Sequence, residues 1–366
     1  MEMNFFLPTR IISGVGCVSE SFAQYGILGK KAIIVTGKTG AKLSGALDDV
    51  TAVLDKKAVP YIVFDEIMEN PSVAVCHKGG KIAREFGADF IIGIGGGSAI
   101  DAAKAVSAYA VNDIEPMQIY LPLDNKPLPI VAIGTTCGTG SEVTPVSVLT
   151  TEDGEHKKSF GNEHTIPKTA FCDPKYIATL PDATTVSTAL DALCHGIESY
   201  FSPKSTKMTH ILATNAVATV WNALMEFSMG DRNIETYGNL LYGSVMAGGA
   251  IAMTGTGFCH PMGYNYTLFK GVPHGRACAF FLAEYLRRNC EEMPEYAETI
   301  FSLLEVDSIA EFEFGLHVLT GKAPKLTEKE IEKYVELIAD ARNFKNAQAI
   351  IDKSEMYEIY RKCSSK

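Results

Sequence analysis

Asp191 and His195 stand four apart in Ser187-Thr188-Ala189-Leu190-Asp191-Ala192-Leu193-Cys194-His195, a strongly helical segment. Both side chains therefore leave one face of a helix and can share one ion. His260 follows a glycine-rich helical stretch, and His274 comes later, after Val272-Pro273. A carboxylate with three imidazoles is a donor set for a divalent transition metal, suited to iron or zinc. An i, i+4 Asp–His pair is also a common hydrogen bond on a helix surface. Here the neighbours are Ala, Leu and Cys, so the pair faces inward, where its charge and polarity need a partner that a metal would supply. The other histidines, His77, His156, His164, His210 and His317, lie in polar or helical surroundings and are read as surface residues.

A second kind of chemistry is suggested by Phe90-Ile91-Ile92-Gly93-Ile94-Gly95-Gly96-Gly97-Ser98, a buried strand feeding a glycine run that opens onto a helix at Ala99-Ile100-Asp101. Glycines let backbone amides approach an anion closely, and the positive end of a helix favours negative charge, so Gly95, Gly96, Gly97 and Ser98 would cradle a pyrophosphate. The Gly-x-Gly-x-x-Gly fingerprint is not met, because its last glycine position is Ser98. The alternative is a tight turn in which Ser98 caps the helix and Asp101 answers it as a capping box, a role compatible with phosphate binding. A run of hydroxyls and glycines, Gly134-Thr135-Thr136-Cys137-Gly138-Thr139-Gly140-Ser141-Glu142-Val143-Thr144, follows the next strand. Thr135, Thr136, Thr139 and Ser141 offer donors to a ribose or a nicotinamide amide. A plain hydroxyl-rich loop has the same composition.

The elements that must position these groups fall into two regimes. From Lys31 to about Ile133, short apolar runs alternate with helical segments, the pattern of βαβ units and a parallel sheet. Strands are expected at Lys31–Thr36, Tyr61–Phe64, Asp89–Ile94 and Ile130–Ile133, and helices at Leu43–Lys56, Val73–Phe86 and Ser98–Ala110. After Pro181 the strand signals fade, and helices are expected at Val186–Tyr200, Met208–Met229, Ile234–Met253, Gly275–Arg287 and Glu328–Ala341. The segment Asp153–Lys168 is the most loop-like before the switch. The expected organisation is an α/β doubly wound parallel-sheet nucleotide domain over residues 1–179, followed by an all-helical domain that binds metal and substrate over residues 180–366.

Composition narrows the function. A chain of 366 residues, 46% hydrophobic and 21% charged, is long enough for two cores. A formal charge of -10, with Lys and Arg scattered, leaves little surface for a phosphate backbone and argues against nucleic acid. Nine cysteines without a CxxC pair suggest a reducing compartment, and the N-terminus does not read as a signal peptide, so a cytoplasmic location is expected. The apolar stretch Ser244–Phe258 is too short to span a membrane and reads as a buried helix.

Taken together, Gly95-Gly96-Gly97-Ser98-x-x-Asp101, the Thr135–Thr144 run, and Asp191-x-x-x-His195 with His260 and His274 resemble the iron-containing (group III) alcohol dehydrogenases. The stretch from Ala170-Phe171-Cys172-Asp173 through Pro181 to Asp191-Ala192-Leu193 and Glu198 is similar to that family's most diagnostic segment. The resemblance runs from about residue 5 to 280.

It implies an active site in the cleft between the two domains, with Fe(II) or Zn(II) held by Asp191, His195, His260 and His274 as the catalytic set. NAD(P)-linked hydride transfer to or from a small alcohol or aldehyde would follow, the metal polarising the substrate oxygen. The cofactor-binding set comprises Gly37, Lys38, Gly95, Gly96, Gly97, Ser98, Asp101, Thr135, Thr136, Thr139, Ser141 and Lys157. NAD-preferring members often place an aspartate just after the strand Lys31–Thr36. Here the residue is Gly37, so NADP(H) is expected to be preferred, with NAD(H) also usable; a plain turn with a solvated Lys38 is the alternative. Tyr264 stands where many members carry a further histidine proposed to relay protons, which turns attention to a bound water or a ribose hydroxyl. Cys137 stands where alanine is usual. A glycerol-dehydrogenase-like or dehydroquinate-synthase-like enzyme and a non-catalytic nucleotide sensor are the other readings, and homodimerisation is left open.

Overall fold

The computed structural model describes residues 4–154 and 156–365. The chain folds as two compact units, one of Leu7–Leu180 with Arg232–Leu241, the other of Pro181–Asp231 and the chain from Tyr242 onward.

In the first unit the elements run β1 (Arg10–Ser13), α1 (Cys17–Tyr25), β2 (Ala32–Gly37), α2 (Gly40–Leu43), α3 (Ala46–Lys56), β3 (Tyr61–Ile67), α4 (Val73–Phe86), β4 (Phe90–Gly95), α5 (Gly97–Val111) and β5 (Ile130–Gly134). A hairpin of β6 (Ser147–Thr150) and β7 (Lys157–Phe160), then β8 (Thr169–Cys172) and α6 (Pro174–Ile177), complete it. Six strands form one parallel sheet in the order β1-β8-β5-β4-β2-β3. Alternate residues of each strand point to opposite faces. Ile33, Val35 and Ile91 meet Val73, Cys76, Ala102 and Val106 of α4 and α5 on one face. Ala32, Ile34, Phe90 and Ile92 meet Val18, Phe22, Val50 and Leu54 of α1 and α3 on the other. Both faces are covered, as a doubly wound parallel sheet requires.

The expected strands and helices of this region are present, with differences that have physical causes. Leu43–Lys56 is not one helix: the chain turns at Gly45 with φ 79, ending α2 before α3 begins. The loop-like segment Asp153–Lys168 contains β7, antiparallel to β6. Strand β1 is largely exposed and β8 has four residues, so neither carries a legible alternation. Strand β3 continues past Phe64 through Asp65 and Glu66, whose charges are met by Lys42 and Lys78.

The second unit is helical: α7 (Asp182–Tyr200), α8 (Lys207–Ser228), α9 (Ile234–Thr254, whose first residues belong to the sheet unit), α10 (Cys259–Lys270), α11 (His274–Ala279), α12 (Leu282–Glu292), α13 (Pro294–Leu304), α14 (Ile309–Thr320), α15 (Glu328–Ile338) and α16 (Lys353–Ser365). The expected helix Gly275–Arg287 is two, α11 and α12, parted at Phe280-Phe281. Helix α11 packs on both α7 and α10. No described helix is long and apolar enough to cross a membrane.

Two histidines are not the surface residues expected. His77 is half-buried edge-on to Tyr109, and His210 is half-buried between Tyr200 and Tyr296.

Candidate active site

Helix α7 is buried on all sides from Ala189 to Tyr200, and Asp191 and His195 lie within it at 3% and 5% exposure. His260 enters at the start of α10 and His274 at the first residue of α11, which follows Pro273. Three helices thus deliver four side chains to one point. Asp191 Oδ1 lies 3.4 Å from His260 Nε2, 3.7 Å from His274 Nε2 and 3.8 Å from His195 Nε2. His195 Nε2 and His260 Nε2 are 2.8 Å apart, their rings stacked. Donors held tetrahedrally at zinc distances stand about 3.3–3.4 Å apart, so this spacing fits one divalent ion. Buried Asp191 Oδ1 meets no donor in hydrogen-bonding geometry among the described residues, an orphan that a cation would satisfy. The fit rests on that atom and on the convergence of the three Nε2 atoms.

The surrounding charges shape the site. Burial pushes Asp191 upward, but the neighbouring His195, His274 and His260 outweigh it and hold the carboxyl well below its usual range. Burial pushes His260 down, yet Glu198 and Asp191 raise it to about 10. Glu198 is fully buried. Its Oε2 stands 2.5 Å from His260 Nδ1 while Oε1 accepts from the Cys259 backbone N–H at 2.9 Å. A carboxylate on Nδ1 draws the ring proton to that side and turns Nε2 toward the cluster. Sequence reasoning had placed Glu198 only in a diagnostic segment; its i+3 spacing from His195 on the same helix was the available signal. Cys278 was also missed: its thiol, with Asp191, His260 and His274, offers ligand atoms all within 4.8 Å of one another. His274 is the most exposed of the set, at 25%, and Tyr264 stacks on its ring at 5.4 Å between centroids.

In the sheet unit, the carboxyl ends of β2, β4 and β5 bring together Gly37, Gly95–Ser98 and the start of the Thr135–Ser141 loop, since Thr36 pairs with Ile94 and Gly95 with Gly134. The Thr135 N–H donates to the Gly95 carbonyl. A Cβ on Gly96 would stand 2.8 Å from Thr136 Cγ2, and one on Gly97 2.4 Å from Thr139 Cγ2, so the two threonines close onto the glycine run. In the first turn of α5, Ala99 and Ile100 donate to the Gly96 carbonyl, which leaves the N–H groups of Gly97 and Ser98 to face a ligand.

The capping-box expectation for Ser98 and Asp101 does not hold. Gly96 is the N-cap of α5 and has no side chain to cap with, and Ser98 lies inside the helix, its Oγ accepting from the Asn70 N–H. Asp101 instead accepts from Ser141 Oγ at 2.5 Å and from the Val148 N–H at 2.9 Å, so both predicted cofactor residues Asp101 and Ser141 are engaged with each other. Lys157 Nζ donates to Asn70 Oδ1 at 2.6 Å, which places it one residue from Ser98. Lys38 is exposed beside Gly37, and Lys42 pairs with Asp65 nearby on β3. Buried Lys104 and Glu142 were not singled out, although a lysine inside Ala102-Ala103-Lys104-Ala105-Val106 is a rare enough placement to be a signal.

Family models for iron-containing alcohol dehydrogenase and for the C-terminal part of the Fe-containing alcohol dehydrogenase family match residues 8–174 and 185–363. Curated relatives include the NADPH-dependent butanol dehydrogenase of Clostridium saccharobutylicum, 31% identical over 81% of this chain and 76% of that protein. Another is the NAD-dependent methanol dehydrogenase of Bacillus methanolicus, 30% identical over 76% of each. The crystal structure of an iron-containing alcohol dehydrogenase from Thermotoga maritima superposes with a TM-score of 0.91 at 34% identity, covering 99% of both chains. This chain belongs to the iron-containing alcohol dehydrogenase family and is an oxidoreductase.

The donor set depends on a close approach. A Cβ on Gly275 would fall 1.9 Å from the Ser187 carbonyl oxygen and 2.7 Å from Asp191 Cβ, so only glycine lets α11 sit on α7 with His274 beside Asp191. Gly275→Ala is expected to destabilise the chain by about 1–3 kcal/mol through overpacking. Urea unfolding midpoints measure this, and an unchanged midpoint would refute the close packing.

Proposed function

We propose that this chain is a metal-dependent, NAD(P)-linked alcohol dehydrogenase and aldehyde reductase acting on small alcohols or diols. The observation that carries the reading is the buried, unsatisfied Asp191 Oδ1 facing the Nε2 atoms of His195, His260 and His274. These four residues would hold Fe(II) or Zn(II). The ion supplies Lewis acidity toward an alcohol or carbonyl oxygen, lowering the energy at which a carbon-bound hydride leaves for, or arrives from, the nicotinamide.

The chain's own residues do the rest. Glu198 holds the His260 ring in the orientation that presents Nε2. The partly exposed edge at His274, flanked by Tyr264, is where substrate would reach the donor set. With a tyrosine rather than an imidazole stacked there, a bound water or a ribose hydroxyl would have to take the alcohol proton. In the sheet unit, the α5 amides at Gly97 and Ser98 would take the pyrophosphate, and the Thr135–Thr139 hydroxyls the ribose and the nicotinamide amide. Lys157 would add a cation beside them, through Asn70.

The cofactor preference rests on Gly37. Relatives of both kinds exist, one named as NADPH-dependent and one as NAD-dependent, so the residues decide. No carboxylate follows β2, and Lys38 and Thr39 flank an open turn whose amides and hydroxyls suit a 2′-phosphate. The nearby Asp65 carboxylate is paired with Lys42 at 3.0 Å, which blunts its repulsion. We place the 2′-phosphate at this turn and infer a preference for NADP(H).

Three outcomes are expected. His195→Ala should lose bound metal and turnover together, activity falling by more than about a hundredfold; full turnover without metal would sink the mechanism. Gly97→Val should raise the cofactor Kd by about tenfold or more while metal content stays unchanged, because the new side chain meets Thr139. Unchanged affinity in that variant would return the glycine run to a structural role. Finally, kcat/KM should be higher with NADP than with NAD, and Gly37→Asp should move the preference toward NAD by like-charge repulsion. A wild-type enzyme favouring NAD would overturn the assignment.

A further inference from the structure

Lys104 lies on α5 with no solvent exposure, flanked in sequence by Ala102, Ala103, Ala105 and Val106. Taking an ammonium out of water costs several kcal/mol, and an apolar side chain of similar volume is often as stable in such a place, so a buried cation calls for a reason other than stability. Its contacts supply one. Nζ donates to Ser141 Oγ at 2.6 Å, to the Val146 carbonyl at 2.7 Å and to Thr144 Oγ1 at 3.3 Å, and Asp101 Oδ1 lies 3.5 Å away. Ser141 passes its own hydrogen to Asp101 Oδ1, Asp101 Oδ2 accepts from the Val148 N–H, and the Asp101 carbonyl accepts from Ser147 Oγ at 2.8 Å. One turn of α5, from Asp101 to Lys104, thereby fastens the stretch from Ser141 to Val148. That stretch continues the Thr135–Gly140 loop, and the Ser141 N–H donates to Thr139 Oγ1 at 3.2 Å. Thr139 is the side chain that closes on Gly97.

We propose that Lys104 is a positioning residue for the cofactor: it clamps the hydroxyl loop to α5 so that the threonine hydroxyls and the glycine-run amides face one nucleotide together. This rests on the nucleotide reading given above. Lys104 touches no cofactor group; it acts through Ser141 and the loop backbone. Removing its donors leaves the Val146 carbonyl and two hydroxyls without their buried partner and frees the loop to drift from Gly97. Burial pushes the Lys104 ammonium down, and Asp101 and Glu142 oppose that push.

The test compares Lys104→Met, which keeps length and loses every donor, with Ser141→Ala and the double variant, all loaded with zinc. Reduced-cofactor fluorescence titration reads Kd, elemental analysis reads zinc, and kinetics separate the alcohol KM at saturating cofactor from the cofactor KM. Lys104→Met and Ser141→Ala should each raise the cofactor Kd about tenfold, the double variant should add nothing further, and zinc content and alcohol KM should stay at wild-type values. A merely structural lysine would lower the unfolding midpoint without this split. A folded Lys104→Met with cofactor Kd within about twofold of wild type, or additive effects of the two changes, overturns the proposal. Should Lys104→Met fail to fold, Ser141→Ala decides, an unchanged Kd being fatal. Gly97→Val keeps the two readings apart. If it too leaves Kd unchanged, the nucleotide site itself is misplaced; if it weakens binding while the clamp variants do not, only the role of Lys104 falls.

Discussion

An ionised carboxylate loses several kcal/mol of hydration when it is buried, and nothing apolar replaces that loss. Asp191 is in this position, at 3% exposure on a helix where its immediate neighbours are alanine, leucine and cysteine. A cation held by the chain would compensate it, and three imidazoles converge on its Oδ1 as the other donors. Much of the local architecture follows. His260 needs Glu198 behind it to keep Nε2 turned inward, and His274 needs a glycine next to it so that α11 can reach α7. Gly275 is required by the close packing of α11 on α7, whereas Glu198 would not be required by helix packing alone.

The sheet unit meets a similar constraint with the sign reversed. There the buried charge is a cation, Lys104, and it is neutralised by a carboxylate one helical turn earlier and by loop oxygens. In both units a charge that water no longer solvates dictates where backbone segments lie.

Much of this was legible in the residues. Val73–Phe86 is a helix with those bounds because its apolar spacing is clean and Ser72 caps it. The inward-facing pair of Asp191 and His195 followed from their spacing among apolar neighbours, and the family resemblance joined His260 and His274 to it. Other features were hidden for physical reasons. The edge strand β1 is exposed and carries no period, and α14 presents Phe314 and Val318 to solvent, which blurs its stripe. Asp101 looked like half of a capping box because spacing cannot say which donor a carboxylate will find; the loop forty residues later offered better ones. Lys104 and Glu198 are polar residues whose partners are distant in sequence, so composition alone marks them as odd without saying what they hold.

The position of β1 has a consequence for how the chain is made. Its parallel partner is β8, and the hydroxyl of Thr9 just before it meets a carbonyl 158 residues further on, at Pro167. At synthesis rates of roughly 5–20 residues per second, the first strand waits about 8–30 s before its partner emerges. Strand β5 is likewise bare on one side until β8 arrives. The sheet is therefore finished by its last strand rather than grown from its first, which places this unit among slow, non-local folders.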